Sequence, residues 1–413
     1  MKDINELAKT TSFCMIPFMH TYGTAGGDIV PCCEAQDTNF NEPGAAIEDT
    51  WNNDKYKELR RALTSNEIPP ECDVCWHNEG SGVKSNRQQW FEDDWDNYKD
   101  LIKLNDDYSV DNPPLWIELK VSNFCNLKCI MCSTHSSYKR VQDLDIIEKY
   151  MGSGYHETRL LRPTTLFESI NEWDGFWDTV KILQFTGGEP IINQEHYDLL
   201  ESIPVHLRST IKLRYASNMS HLTFKKYDLI EIWSQFKHVN IKVSLDGVND
   251  VYDYIRQDGD FKTVHTNMLA LQDEPTISLA IGITVQAHNV YHMPEFYKFW
   301  KDSDIDISFI TANILQTPRY LTPSLWPEEY REAIITKLKS HLDEHPELQR
   351  CINYMENNEP NIRDYAKMRK YTRDLEERYE MGTSLKEMVK EHLGMPIEDM
   401  GSVHNRLIES EKK

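Results

Sequence analysis

The 413-residue chain reads as an α/β protein built on a mostly parallel sheet. Three observations predict this. From residue 115 onward, short apolar runs alternate with helical patterns, and strands joined through helices are the crossover connections of a parallel sheet. Short polar and glycine-bearing motifs follow those runs directly, at the strand ends where open α/β sheets gather ligands. Eight of the nine cysteines fall in two groups, one ahead of the alternation and one just after its first strand.

The predicted strands are 115–121, 180–185, 211–216, 239–245, 277–285 and 305–310. Helical stretches lie between them at 138–150, 194–203, 223–236, 262–272 and 293–301. Six strands and five crossovers predict a partial (β/α)6 barrel over 115–320. Ahead of it, residues 12–33 read as a hairpin turning at Ala25-Gly26-Gly27-Asp28. Residues 47–63 then read as one amphipathic helix, with acids at its start and Arg60 and Arg61 near its end. Pro69-Pro70 stops it and Cys72-Asp73-Val74-Cys75 follows. These elements make residues 1–83 a small cysteine-rich hairpin and helix domain. Residues 84–114 form an acidic linker carrying Trp90, Phe91, Trp95 and Tyr98, closed by Asn112-Pro113-Pro114. The spacing of these aromatics fits packing better than a flap. Residues 321–413 are helical, with an apolar stripe at Tyr330, Ile334, Ile335, Leu338 and Leu342.

Composition excludes several function classes. The net charge is −22, and residues 1–114 hold 10 Lys and Arg against 22 Asp and Glu. Such a surface repels a phosphate backbone, which argues against general nucleic-acid binding. The longest apolar run is far too short to span a bilayer. The first residues carry acids and no apolar core, unlike a signal peptide, so a cytoplasmic protein is expected. Without export, the cysteines point to metal rather than disulfides.

The central motif is Cys125-Asn126-Leu127-Lys128-Cys129-Ile130-Met131-Cys132, a C-x3-C-x2-C loop straight after the first predicted strand. Three thiolates this close fit a cubane iron–sulfur cluster with one iron left for another ligand; zinc with His135 as fourth ligand is the other reading. The earlier group is C-x17-C-x39-C-x2-C, formed by Cys14, Cys32, Cys72 and Cys75. On spacing, four thiolates suit a cubane or a zinc ion. Cys33 stands beside Cys32, and Cys32 is the preferred ligand because neighbours on a strand face opposite ways.

Further motifs sit at the strand ends. Gly187-Gly188-Glu189-Pro190 follows the second strand; its glycines allow close backbone approach and its carboxylate suits an ammonium. Ser217 and Asn218 end the third strand, and Ser244 and Asp246 the fourth. Their short polar side chains suit hydroxyl and carboxylate partners, though such residues are also ordinary turn formers. Arg256 lies a short helix beyond, where a surface role is equally open. Cys351 reads as a buried apolar residue.

Taken together, the C-x3-C-x2-C loop and the Gly-Gly-Glu segment resemble the radical S-adenosylmethionine (SAM) superfamily. The hairpin, the Trp-bearing helix and the closing Cys-x2-Cys resemble the twitch domain, a short form of the SPASM domain, placed here before the core rather than after it. The resemblance implies a [4Fe–4S] cluster on Cys125, Cys129 and Cys132 that binds SAM, and an auxiliary [4Fe–4S] cluster on the earlier cysteines. It implies that Gly187, Gly188, Glu189 and Pro190 hold the SAM amino group. Ser217, Asn218, Ser244, Asp246 and Arg256 are then expected near the ribose and carboxylate. Met131 stands where relatives carry an aromatic, and is expected along the adenine edge. The activity implied is reductive cleavage of SAM to a 5′-deoxyadenosyl radical that takes a hydrogen atom from substrate, with the auxiliary cluster handling electrons. A small molecule or short peptide is expected as substrate, a peptide- or protein-modifying maturase being the alternative, and flavodoxin or ferredoxin as electron donor. A non-catalytic iron–sulfur or zinc protein is the reading of a different class.

Overall fold

A computed structural model describes all residues except 36–37, 81–83, 152–155 and 412–413. The expected boundary at residue 83 lies outside the described residues. The chain forms two compact units, each drawn from several stretches of sequence. The first comprises Met1–Phe124, Leu160–Tyr215 and Phe224–Asn240; the second comprises Cys125–Arg159, Ala216–Thr223 and Ile241–Lys413.

The first unit holds β1 (His20–Gly23), β2 (Ile29–Val30), β3 (Trp116–Lys120), β4 (Ile182–Thr186) and the start of β5 (Lys212–Ser217), in the order β2-β1-β3-β4-β5. β1 turns back on β2 antiparallel, while its other edge pairs parallel with β3, Tyr22 opposite Glu118. β3, β4 and β5 continue in parallel. The hairpin is shorter than its predicted span, because Ile16–Met19 forms a helical turn. Pro17 explains this: its fixed φ suits the first helical positions and it has no N–H for a ladder.

The predicted helix 47–63 is two helices, Ile47–Trp51 and Asp54–Leu63. Asn53 breaks it by accepting the Tyr56 N–H as an N-cap. Arg60, near the end of the second helix, is fully buried. It donates to the carbonyls of Pro17 (2.7 Å) and Trp51 (2.8 Å) and to Asn52 Oδ1 (2.8 Å), and lies 4.5 Å over the Trp51 ring. The helix Asn86–Tyr98 packs Trp95 and Tyr98 into the same core as Phe13, Phe18, Trp51 and Trp116. The aromatics of 84–114 therefore pack, as their spacing predicts. Asp94 on this helix makes a two-pronged ion pair with Arg214 of β5 at 2.9–3.0 Å.

The stretch 223–236 is not one helix. It forms a strand pair, β6 (Thr223–Phe224) and β7 (Tyr227–Asp228), then a five-residue helix, Leu229–Trp233. Lys225 adopts a positive φ of 53°, and Asp228 caps the helix by accepting from the Ile230 and Glu231 amides. Tyr197 stacks on both Phe224 and Tyr227, at 5.3 and 4.2 Å between ring centroids, so aromatic packing decides the turn.

β8 (His238–Ser244) passes into the second unit, where it neighbours β9 (Ile277–Val285), which pairs parallel with β10 (Ile307–Ile314), Ile283 opposite Ala312. All six strands of the predicted alternation are present in order, and the fold is α/β with a mostly parallel sheet. The C-terminal region is helical as expected, from Glu328–Ser340 to Met400–Glu411. Cys351 is fully buried there. Among the described residues no helix is long and apolar enough to cross a membrane.

Candidate functional site

The Cys125–Cys132 loop lies in the second unit and is pinned from several sides. Lys128 N–H donates to Gln257 O and Ile130 N–H to Ile255 O, both at 3.0 Å, so the loop is laced to the residues flanking Arg256. Ser137 Oγ donates to Leu127 O, and the Tyr371 hydroxyl donates to Ile130 O, both at 2.7 Å. Cys125, Leu127 and Cys129 pack as a small buried cluster, with Met131 and Cys132 against it. Met131 and Cys132 also line a cavity of about 310 Å³ with Arg140, Tyr320 and Tyr371.

Polar groups converge on the three sulfurs. Arg256 Nη1 lies 3.8 Å from Cys129 Sγ, and its Nε is 2.9 Å from the fully buried Asp246. Asp246 is anchored by accepting the Thr284 N–H at 2.8 Å. Asn218 Nδ2 reaches Cys125 Sγ at 4.0 Å and donates to Asn126 Oδ1 at 3.0 Å. Leu127 N–H points at Cys125 Sγ, 3.4 Å away. Between the closest thiols, Cys129 donates to Cys132, which raises the first and lowers the second, and the Arg256 cation favours the thiolate on both. An anionic sulfur ligand set needs such a setting. Ser217 ends β5 and accepts the Met219 N–H at 3.0 Å, as turn chemistry predicts. Ser244 closes β8, half-buried.

Gly187–Pro190 follows β4 in the first unit. The Gly188 amide donates to Ser122 O (2.7 Å) and the Glu189 amide to Phe124 O (2.8 Å), so the loop lies on the three residues before Cys125. A Cβ on Gly188 would meet Phe124 O at 2.2 Å, and one on Gly187 would meet Ser122 O at 2.6 Å. Gly187 also has φ +128°, which excludes other residues. Both glycines are thus demanded by this backbone contact, apart from any ligand. The Glu189 side chain is buried, and Pro190 opens the short turn that follows.

The earlier cysteines gather in the first unit. Cys72 ends a single 3₁₀ turn and Cys75 lies in the following helix, Asp73–Gly80. Burial pushes the Cys14 thiol up to about 12, the Ile16 amide opposing and Cys75 adding to the rise. Burial likewise raises Cys32, with Cys14 repelling it and the Glu34 and Ala35 amides opposing. Cys72 is raised by burial and then by Cys14 and Cys32. Thiols that raise one another are close together, and ionising them all requires a strongly cationic group among them, as iron–sulfur or zinc supplies. Cys33 is exposed, whereas its neighbour Cys32 is half-buried.

Sequence reasoning missed Arg87. Its backbone donates to Cys75, its guanidinium pairs with Glu79, donates to Phe13 O at 2.6 Å and lies 4.5 Å over the Trp76 ring. It also missed Tyr371, 241 residues from the carbonyl it holds. Neither had a local signal, since an Arg or Tyr in a polar helix is ordinary.

A three-cysteine loop at a strand end and a second, partly buried cysteine set are two settings for thiolate ligation of a metal or cluster on an α/β scaffold. Residues 119–299 match the radical SAM superfamily, and residues 14–76 match SPASM, an iron–sulfur cluster-binding domain. The chain thus carries a radical SAM domain over 119–299, with a SPASM-type domain ahead of it. The cofactors that accompany these domains are a SAM-binding [4Fe–4S] cluster with SAM and an auxiliary iron–sulfur cluster. An uncharacterised protein of Methanocaldococcus jannaschii is 27% identical over 190 residues, 44% of this chain and 56% of that protein. Native anSMEcpe with bound AdoMet and Cp18Cys peptide is 20% identical, over 60% of this chain and 62% of that one, with a TM-score of 0.38. Streptococcus suis SuiB bound to precursor peptide SuiA is 14% identical, over 70% and 63%, with a TM-score of 0.37. The chain spans less than two thirds of the length of each.

Proposed function

We propose that the protein is a radical SAM enzyme that abstracts a hydrogen atom from a small-molecule or peptide substrate. In this reading Cys125, Cys129 and Cys132 hold the [4Fe–4S] cluster to which SAM binds. When bound, that pair of cofactors supplies a one-electron cleavage of the C5′–S bond, leaving methionine and a 5′-deoxyadenosyl radical that removes a substrate hydrogen. The protein's own residues orient and shield. Arg256, fixed by Asp246, keeps a positive charge beside the thiolates and is available to the SAM carboxylate. Asn218, Ser217 and Ser244 offer short polar groups for ribose. Glu189 receives the ammonium, and Met131 lines the adenine edge. Cys14, Cys32, Cys72 and Cys75 hold the auxiliary cluster, where four protein ligands favour electron transfer over substrate binding. A flavodoxin or ferredoxin delivers electrons, and the protein works in the cytoplasm.

The observation that carries this reading is the convergence of Arg256 and Asn218 on the sulfurs of the C-x3-C-x2-C loop. The test is anaerobic reconstitution with iron, sulfide, SAM and dithionite. 5′-Deoxyadenosine should form, and Cys129→Ala should abolish it. A fully loaded protein that yields none overturns the reading in favour of a non-catalytic iron–sulfur protein.

A further inference from the structure

His292, Glu295 and His392 stand apart from both cysteine sets, in the second unit. His292 immediately precedes the helix Met293–Asp302, Glu295 lies in its first turn, and His392 lies in the last turn of Leu385–Leu393. One ligand atom from each lies within 4.8 Å of the others. His292 is 4% exposed, yet its Nδ1 has no hydrogen-bond partner, and neither has the buried Oε2 of Glu295. All three side chains line a cavity of about 750 Å³.

Unsatisfied buried polar atoms are costly and call for a partner. The neighbours do not supply one. Lys337 Nζ is 2.6 Å from Glu295 Oε1 and 3.0 Å from His392 O, so it holds the other carboxylate oxygen and the helix end. His392 Nδ1 is 3.7 Å from Glu295 Oε1, too far for a hydrogen bond. The Val248 amide donates to His292 Nε2 over a long 3.3 Å. Ligation through Nδ1 moves the ring proton to Nε2 and gives up that contact.

We infer that His292, Glu295 and His392 form a mononuclear site for a divalent transition metal of the zinc class. Two imidazoles and a carboxylate suit zinc, and oxygen-seeking magnesium or calcium far less. The pair His292 and Glu295 has i, i+3 spacing on one helical face. The metal joins the helix 293–302 to the helix 385–393, two segments about 90 residues apart in sequence. Three protein ligands leave a position open, and because all three residues line the cavity, a water or one donor atom of a small ligand there can complete the coordination.

The test uses cluster-loaded protein, handled anaerobically, so that the cysteines are occupied. Zinc chloride is added, unbound metal is removed by gel filtration, and zinc and iron are counted. The parent should retain one zinc per chain with iron unchanged. Glu295→Gln and His392→Ala should each lose that zinc while keeping the parent iron content and circular dichroism. X-ray absorption at the zinc edge should show nitrogen and oxygen neighbours near ~2.0–2.1 Å and no sulfur at ~2.3 Å. No retained zinc, a sulfur shell, or equal retention by the variants overturns the site. These readouts do not depend on SAM cleavage.

Discussion

Arg256 and Arg60 are both buried guanidinium groups, and their surroundings assign them different work. Arg60 faces carbonyls and an aromatic ring, all of them structural partners. Burial lowers its pKa to about 9, so it keeps its charge at neutral pH. Arg60→Ala takes the donor from four acceptors, the carbonyls of Pro17, Trp51 and Tyr108 and Asn52 Oδ1, and should cost about 3 kcal/mol, read as a lower urea midpoint. An unchanged midpoint would show that water replaces the guanidinium. Arg256 faces a carboxylate and thiols, the partners of a cofactor pocket. Arg256→Lys keeps the charge but loses the planar fork. It should raise the SAM concentration needed for half-maximal cleavage by roughly tenfold or more, about 1.4 kcal/mol, with little change in iron content. Gly188 makes a steric argument that needs no ligand. Gly188→Ala should destabilise by about 3 kcal/mol or more because its Cβ meets backbone, whereas Gly382→Ala, with nothing within 4 Å, should be nearly neutral.

Among the elements, the regular strands were legible in sequence and the irregular joints were not. β3, β4, β8 and β9 carry apolar and β-branched residues at buried positions, β5 alternates buried with half-buried residues, and β10 keeps the apolar pattern although much of it is exposed. The break at Asn52-Asn53 and the turn at Lys225 depend on single caps and on aromatic partners distant in sequence. The helical turn carrying Cys72 and Cys75 is a local element, joined to Cys14 and Cys32 only through the fold. Cys72→Ala with Cys75→Ala should therefore remove about four of about eight irons per chain and leave SAM cleavage at least partly intact. Loss of all iron would show that the two cysteine sets are not independent.

On the scale of the molecule, both units bury neutral histidines. His196 in the first and His288 in the second are each held at a pKa of about 3 by burial. Between that value and the unfolded value near ~6.5, the unfolded chain binds the extra protons. Stability is therefore full above that range and falls as the pH drops through it, by about 1.4 kcal/mol per pH unit for each group. The urea midpoint should fall between pH 7 and pH 5, and His196→Phe should lessen the fall. An identical pH profile in parent and variant would mean that His196 is already protonated when folded.

By itself the sequence determined the fold class, the order of the six core strands, the two cysteine sets and the glycines of the 187–190 loop. These are written in local spacing: alternating apolar runs, C-x3-C-x2-C, C-x2-C and a Gly-Gly pair report their surroundings within a few residues. Only the tertiary structure decided that Arg256 is locked by Asp246 beside Cys129, that Arg60 is buried and Arg87 reaches the Phe13 carbonyl, that Tyr371 holds the cysteine loop, and that His292 and Glu295 meet His392. Each joins residues that the chain brings together only on folding. A charged or polar side chain looks alike in sequence whether it meets water or a buried partner, and burial alone distinguishes the two.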